Sequence, residues 1–154
     1  MGEIKNYRNF EVWQLSMNFT EAVYRLVRNF PKEERYGLSD QVRRAVVAIP
    51  SNIAEGNGRG TKKDYAHSLC IARGSLYEVN TQLEIAERLG FLTLPPEVAA
   101  QSVSIAKMLN ALIRALGTGE SGLGNGKRGM GNGNWQNRLA HPLPNPHSLV
   151  PNPL

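Results

Sequence analysis

The sequence predicts an all-α protein, an antiparallel up-down-up-down four-helix bundle followed by a disordered C-terminal tail. Three observations predict this fold. Apolar residues recur at helical spacing in four long segments, no segment shows the period-two alternation of a strand, and the connections between segments are short. Short connections between long amphipathic helices make sequence neighbours antiparallel, so the four segments are expected to share one core.

The first helix is predicted over about residues 11–29. Pro31 stops it, since proline cannot continue a helix whose amides must donate. The apolar positions that repeat at helical spacing are Val12, Leu15, Phe19, Ala22, Val23, Leu26 and Phe30.

The second helix is predicted over about residues 39–55, with Gly56 as a left-handed C-terminal cap. Its buried stripe consists of Val42, Ala45, Val46, Ile49 and Ile53. Pro50 lies inside this stripe and cannot donate a hydrogen bond to the carbonyl of Val46, which in a helix interior costs about 3 kcal/mol. We therefore expect Pro50 to bend the helix and neighbouring elements to hold the bend.

The third helix is predicted over about residues 62–88 and is the longest. A short turn over residues 57–60 precedes it, and Thr61 with Asp64 resembles a capping box. Its apolar positions alternate spacings of four and three, which is a heptad seam typical of helices that cross at about 20°. These positions are Tyr65, Leu69, Ala72, Leu76, Val79, Leu83 and Ala86.

The fourth helix is predicted to start near Pro95 and Pro96, after Gly90 has ended the third. The residues expected to face the core are Val98, Ile105, Met108, Leu109, Leu112 and Leu116.

The composition changes after Leu116. Residues 117–154 hold eight of the fifteen glycines and five of the nine prolines, with few apolar residues to bury. Such a composition is typical of flexible and short extended segments. The prediction is therefore a bundle domain over residues 1–116 and a disordered low-complexity tail over residues 117–154.

The single cysteine, Cys70, excludes a disulfide within the chain and favours a reducing compartment. No signal peptide opens the sequence, and no window approaches the roughly 20 apolar residues that cross a bilayer. We expect a soluble cytoplasmic protein that has no membrane partner.

Catalytic patterns are weak in this sequence. A di-metal centre in a four-helix bundle needs two Glu-x-x-His pairs and two further inward glutamates. The chain contains only one approximate match, in which Asp64 precedes His67 by three residues. The glycines of residues 56–60 follow a helix, whereas a dinucleotide phosphate loop follows a strand. Ser51 and Ser75 have no histidine placed to act as a base. We expect no enzyme activity, no metal and no cofactor.

Basic residues are expected to gather at one end of the bundle. Helices one and three start there, and helices two and four end there. This basic pole comprises Lys5, Arg8, Arg59, Lys62, Lys63 and Arg114. Together with a pI of about 9.6, it predicts an interface for RNA or DNA.

A second polar group is expected between helices two and three. Its members are Arg43, Arg44, Asn52, Glu55 and Glu78, and Gly74 is expected to let the two helices approach closely. The group is interpreted as an ion-pair or hydrogen-bond network that fixes helix pairing or an oligomer interface, with ligand binding as the alternative.

Several runs resemble one known family in order and spacing. They are residues 10–14 (FEVWQ), 30–38 (FPKEERYGL), 41–56 (QVRRAVVAIPSNIAEG) and 74–78 (GSLYE), with Thr81 and Gln82. They resemble the four-helix-bundle proteins of the bacterial ribosomal RNA intervening-sequence family. That family's superfamily includes the accessory variability determinant of diversity-generating retroelements, and the resemblance covers roughly residues 8–116.

The resemblance implies a ring-like homopentamer. The retroelement relatives further imply that a basic pentamer assists a reverse transcriptase and its RNA. The first functional hypothesis is therefore a non-enzymatic nucleic-acid-binding accessory protein. The alternative is a scaffold or adaptor whose partners are proteins, and a di-metal enzyme is the third hypothesis.

Overall fold

The structure, a computed structural model, describes residues 6–117 and contains four long helices. They are α1 (Glu11–Val27), α2 (Leu38–Gly58), α3 (Lys62–Arg88) and α4 (Pro96–Gly117), and 3-10 turns at Tyr7–Asn9 and Lys32–Tyr36 precede α1 and α2. No strand occurs in this part of the chain. The prediction of an all-α four-helix bundle is confirmed.

The helices form a closed bundle in which α1 packs on α2 and α4, and α3 packs on the same two helices. Two side-chain hydrogen bonds show that α3 and α4 are antiparallel. Ser102 Oγ donates to Asn80 Oδ1 at 2.8 Å, and Arg73 Nη1 donates to Asn110 Oδ1 at 2.8 Å. Arg73 precedes Asn80 on α3, whereas its partner Asn110 follows Ser102 on α4. The two helices therefore run in opposite directions.

The heptad seam of α3 forms the centre of the core. Tyr65 is half-buried, and the other six predicted positions, Leu69 to Ala86, are at most 2 % exposed. The start at Lys62 and the end at Arg88 also agree with the prediction. A regular alternation of apolar residues over so many turns leaves only one face that can be buried, and the sequence therefore predicts this helix well.

The stripe of α1 is rotated slightly from the predicted one. Ser16 and Val27 are buried, whereas Leu15, Ala22 and Leu26 are only half-buried, and the helix ends two residues before the predicted Asn29. Ser16 can be buried because its hydroxyl donates to the Val12 carbonyl at 2.6 Å.

In α4 only half of the predicted core positions are fully buried. Val98, Ile105 and Leu109 are buried, and Met108, Leu112 and Leu116 are half-buried.

The glycines of α2 and α3 have other roles than predicted. Gly56 does not cap α2, which continues to Gly58, and Gly60 adopts the left-handed conformation at φ 81°. Gly56 is buried, and a Cβ there would lie 2.5 Å from the Cβ of Ser68. Gly74 is exposed, and a Cβ there would have no neighbour within 4 Å. The close approach of α2 and α3 therefore occurs at Gly56, and its prediction at Gly74 was wrong.

Pro50 is buried inside α2, and the helix runs through it without a break. The Val46 carbonyl, which Pro50 leaves without its usual donor, accepts a hydrogen bond from Thr20 Oγ1 of α1 at 3.3 Å. A neighbouring helix thus supplies the missing donor, and the bend at Pro50 stays a prediction.

The predicted disordered tail lies outside the described residues. The helix α4 ends at Gly117, one residue after the proposed domain boundary. Disorder over residues 117–154 and the boundary itself therefore stay predictions. Among the described helices, none combines the length and apolar character that a membrane span requires.

Candidate nucleic-acid interface

The basic pole is built around the turn between α2 and α3. Thr61 Oγ1 accepts a hydrogen bond from the backbone N–H of Asp64 at 3.1 Å and donates to the Asp64 carboxylate at 2.6 Å. The first bond is the predicted cap of α3, whereas the carboxylate bonds the hydroxyl of Thr61 instead of its amide. This arrangement holds Lys62 and Lys63 in the first turn of the helix.

Lys62 and Lys63 are exposed charges at the start of α3, next to this turn. Both side chains are exposed, and neither forms an ion pair within residues 6–117. They also lie at a helix N-terminus, where the partial positive charge of the helix dipole adds to their own. The two ammonium groups thus create a local positive potential that an anion could neutralise.

Arg59 contributes less to this potential. It forms an ion pair with Glu55, four residues earlier on the same helix, and both side chains are 55 % exposed. The hydrogen bond that Arg59 donates to Glu55 and the negative charge of that carboxylate raise the pKa of the Arg59 guanidinium, so this group stays protonated. Its positive charge is nevertheless partly neutralised within the helix.

The remaining predicted members of the pole are more widely spread. Arg8 is exposed, and its guanidinium carbon lies 5.2 Å from the centroid of the Tyr7 ring, in a 3-10 turn that packs on α2. Arg114 is exposed in the last turn of α4. Lys5 lies outside the described residues.

Three members of the predicted polar group are paired within their own helix. Arg44 Nη2 donates to the Asp40 carboxylate at 2.5 Å, and Asn52 Nδ2 donates to the Ala48 carbonyl at 2.7 Å. Glu55 is held by Arg59 as described above. These local bonds follow from the spacing of four residues between partners, which places both on one helix face.

Glu78 and Arg43 differ from the other three. The carboxylate of Glu78 accepts a hydrogen bond from Gln82 Nε2 at 3.1 Å, which is a neutral partner. Arg43 is half-buried, and no ion pair or hydrogen bond of its side chain is found in the described part of the chain. No bond joins the α2 members to Glu78, so within one chain the five residues do not form a connected network. A role in an oligomer contact stays a prediction.

Two surfaces were not recognised in the sequence. The α1–α2 groove consists of two adjoining depressions that share Tyr24 and Val47, with Met17 and Arg28 in one and Arg43 in the other. Met17, Tyr24 and Val47 are 43 %, 38 % and 41 % exposed. The available signal was the presence of Met17 and Tyr24 seven residues apart, opposite the buried stripe of α1.

The second surface is the α3 outer face, which comprises Ile71, Gly74, Glu78 and Ile85. Their spacings of three, four and seven residues place them on one side of the helix. Ile71 and Ile85 are 44 % and 43 % exposed. Two exposed isoleucines on the face opposite a heptad seam leave apolar surface that the rest of residues 6–117 does not cover.

Metal chemistry finds no support in the described residues. They contain no group of three or more His, Cys, Asp or Glu side chains that could hold an ion. His67 is exposed in the first turns of α3, and Asp64 is engaged with Thr61.

Comparison with known proteins identifies the family. A family model described as 23S rRNA-intervening sequence protein matches residues 8–111, which include α1, α2, α3 and most of α4. The chain belongs to this family. The matched region contains the α2–α3 turn and both of the surfaces defined above.

A solved structure supports the same fold. It is a protein with unknown function from the S23 ribosomal protein family of Bacteroides thetaiotaomicron VPI-5482, 24 % identical, with a TM-score of 0.61. The similarity covers 67 % of this chain and 95 % of that one. At this identity the likeness shows the four-helix fold alone. No curated protein matches the chain.

Proposed function

We propose that this member of the 23S rRNA-intervening sequence protein family is a non-catalytic, homo-oligomeric, nucleic-acid-binding accessory protein. One observation carries the proposal. Lys62 and Lys63 are exposed together at a helix N-terminus, without an ion-pair partner among residues 6–117. The chain is also basic as a whole, with a net charge of +5. Charges in this arrangement attract phosphates of any sequence.

Oligomerisation makes this interface strong enough to matter. At the start of α3 one copy offers two ammonium groups without an ion pair in the described chain, and these neutralise too few phosphates for stable binding. In a ring of copies, which the resemblance implies to be a pentamer, the same pair would recur on one face. Each phosphate neutralised then steepens the dependence of log affinity on log salt by about 0.7 on a single strand. We expect sequence-tolerant binding that weakens steeply with salt.

The proposed partner class is taken from the resemblance of the sequence to the retroelement accessory proteins, which implies assistance to a reverse transcriptase and its RNA. By that likeness, we propose that the present protein binds RNA or DNA held by a larger enzyme complex. Neighbouring genes provide an independent check, because a reverse transcriptase gene beside template and variable repeats would support this assignment.

The test is the charge reversal Lys62→Glu/Lys63→Glu, assayed by gel-shift titration with a single-stranded RNA over a range of salt. Acidic side chains are favoured in the first turn of a helix, so the fold should be retained. We expect binding to be lost while the oligomer mass stays unchanged. The matched control Lys32→Glu/Lys107→Glu changes the net charge equally at exposed sites outside the basic pole and should retain most of the binding.

Failure of the wild type to bind at low salt, or equal binding by both reversed proteins, would refute the proposal. A protein scaffold would then be the better assignment. The α1–α2 groove and the α3 outer face support that second candidate, because exposed apolar surface on a soluble bundle is typical of protein contacts.

A further inference from the structure

Residues 6–117 carry two surfaces of opposite electrostatic character that no other described residue covers. We propose that the α3 outer face of one copy packs into the α1–α2 groove of the next copy, with Glu78 paired to Arg43 across the contact. This inference rests on the homo-oligomer of the proposed function and identifies its interface.

The α3 outer face has the composition of a helix-packing surface. Its isoleucines lie fourteen residues apart, and Gly74 lies between them without any neighbour for a Cβ. Glycine inside a helix is less favourable than alanine, because its backbone loses more conformational freedom on folding. Gly56 has a reason within the chain, because Ser68 leaves no room for a side chain, whereas Gly74 has none. A second copy that approaches closely at Gly74 provides that reason.

The charges of the two surfaces are complementary. Glu78 is exposed, and its carboxylate accepts a hydrogen bond from the neutral amide of Gln82. Arg43 is half-buried in the groove wall without a carboxylate partner in the described chain. A partly desolvated charge is costly unless it is paired, so Arg43 benefits from a carboxylate, and the exposed Glu78 has no cationic partner among residues 6–117.

The neighbouring charges are already satisfied. Arg44 is paired with Asp40, Arg25 with Glu21, and Glu84 with Arg88, each within one helix. The unpaired arginines of the groove are therefore Arg43 and Arg28, among the residues that the structure describes. The groove has a surplus of positive charge, and the α3 outer face carries a carboxylate that forms no ion pair within residues 6–117.

The spacing of the two surfaces also agrees. Each isoleucine lies seven residues from Glu78, and at 1.5 Å per residue this is about 10.5 Å along the helix. Met17 and Tyr24 are likewise seven residues apart, again about 10.5 Å. Arg43 lines the same depression as Tyr24, so a Glu78–Arg43 pair brings one isoleucine to the level of Met17. Methionine adapts readily to an incoming apolar side chain.

A contact between two different surfaces repeats from copy to copy. Such a heterologous contact closes into a ring when the rotation between copies permits and otherwise produces a filament. A single pair of surfaces is thus sufficient to build an assembly of more than two chains.

The test is a charge exchange followed by mass measurement with light scattering at micromolar concentration. We expect Arg43→Glu and Glu78→Arg each to reduce the oligomer toward the single-chain mass of 17.0 kDa. The double variant restores opposite charges and should regain most of the wild-type mass. Circular dichroism verifies that each variant keeps its helix content.

Matched controls are available in the α1–α2 groove and elsewhere on α3. Arg44→Gln and Glu84→Gln remove a charge that is already paired within its own helix, so we expect the wild-type mass to be retained. Wild-type mass in both single variants, or a double variant no larger than the single ones, would overturn the inference. A monomeric wild type would do the same.

The outcome is separable from the nucleic-acid proposal. If the exchange variants behave as expected but the wild type binds no RNA, the contact stands and the nucleic-acid function fails. If Arg43→Glu abolishes RNA binding without changing the mass, the groove binds nucleic acid and the copy-to-copy contact is refuted.

Discussion

Thr20 of α1 directs its hydroxyl toward the carbonyl oxygen of Val46 in α2, with 3.3 Å between Oγ1 and that oxygen. Pro50 follows Val46 by four residues and has no N–H, so this carbonyl lacks its donor within the helix. Thr20 Oγ1 also lies 2.8 Å from the Ser16 carbonyl, which has the Thr20 amide as its regular helix partner. Without the Thr20 hydroxyl, the Ser16 carbonyl would keep its backbone donor. The Val46 carbonyl would lose its donor, because Pro50 has no N–H to take its place.

The variant Thr20→Val tests this compensation. Valine keeps the shape of threonine but leaves the Val46 carbonyl without a protein donor, which should destabilise the fold by about 1 to 2 kcal/mol. The measurement is the free energy of unfolding in urea.

A double-mutant cycle with Pro50→Ala shows whether the two residues act together. Alanine at position 50 supplies an N–H for the Val46 carbonyl, so Thr20→Val should cost clearly less in that background. Equal costs in both backgrounds would mean that the Thr20 contact does not compensate for Pro50.

Gly56→Ala should destabilise the packing of α2 on α3. The added Cβ would meet the Ser68 Cβ at 2.5 Å and the Tyr65 ring at 2.9 Å, and overpacking of this kind typically costs about 1 to 3 kcal/mol. Gly58→Ala is the matched control on the same helix, because a Cβ there meets nothing within 4 Å. We expect the control to be neutral or slightly stabilising in thermal unfolding. A Gly56 variant as stable as the control would exclude a tight contact there.

Tyr65→Phe should stabilise the protein by about 1 kcal/mol, because the buried Tyr65 hydroxyl has no hydrogen-bond partner among residues 6–117. Tyr77→Phe is the control, since Tyr77 is 50 % exposed and water can satisfy its hydroxyl. Chemical denaturation of the two variants at neutral pH provides the comparison. A loss of stability specific to Tyr65→Phe would reveal an unrecognised partner of the hydroxyl.

The same residue predicts a pH dependence. Burial raises the pKa of Tyr65 above its ordinary value of 10.0, so the folded state retains this proton longer than the unfolded chain does. Stability from this group is complete below pH 10 and is lost as the pH rises toward the native pKa. Tyr65→Phe should therefore flatten the alkaline decline of the unfolding free energy. An unchanged decline would assign it to other groups.

The sequence predicted the features that depend on local pattern. The seam of α3 was predicted residue by residue, because apolar side chains repeat on one face over its whole length. The cap at Thr61 depends on residues three positions apart and was predicted for the same reason. Ion pairs such as Arg44 with Asp40 can also be predicted from sequence, since residues four positions apart on a helix are neighbours.

The candidate surfaces were only partly predictable. Lys62 and Lys63 were recognised because charged residues at the start of a helix, next to a connecting turn, are usually exposed to solvent. The α1–α2 groove was missed because its residues come from two helices and lie on faces that the core pattern does not mark. The free state of Arg43 became visible only once its neighbours in the fold were known.

The sequence by itself determined which segments are helical and which face each one buries, because both are consequences of spacing along one chain. The tertiary structure alone decided which glycine permits close helix packing and which donor serves the Val46 carbonyl. Gly56 and Gly74 are identical as residues, and Ser68 lies opposite only the first. Likewise, nothing in α2 indicates Thr20 of α1. Such relationships depend on the register between helices, which side-chain packing sets and no single helix encodes.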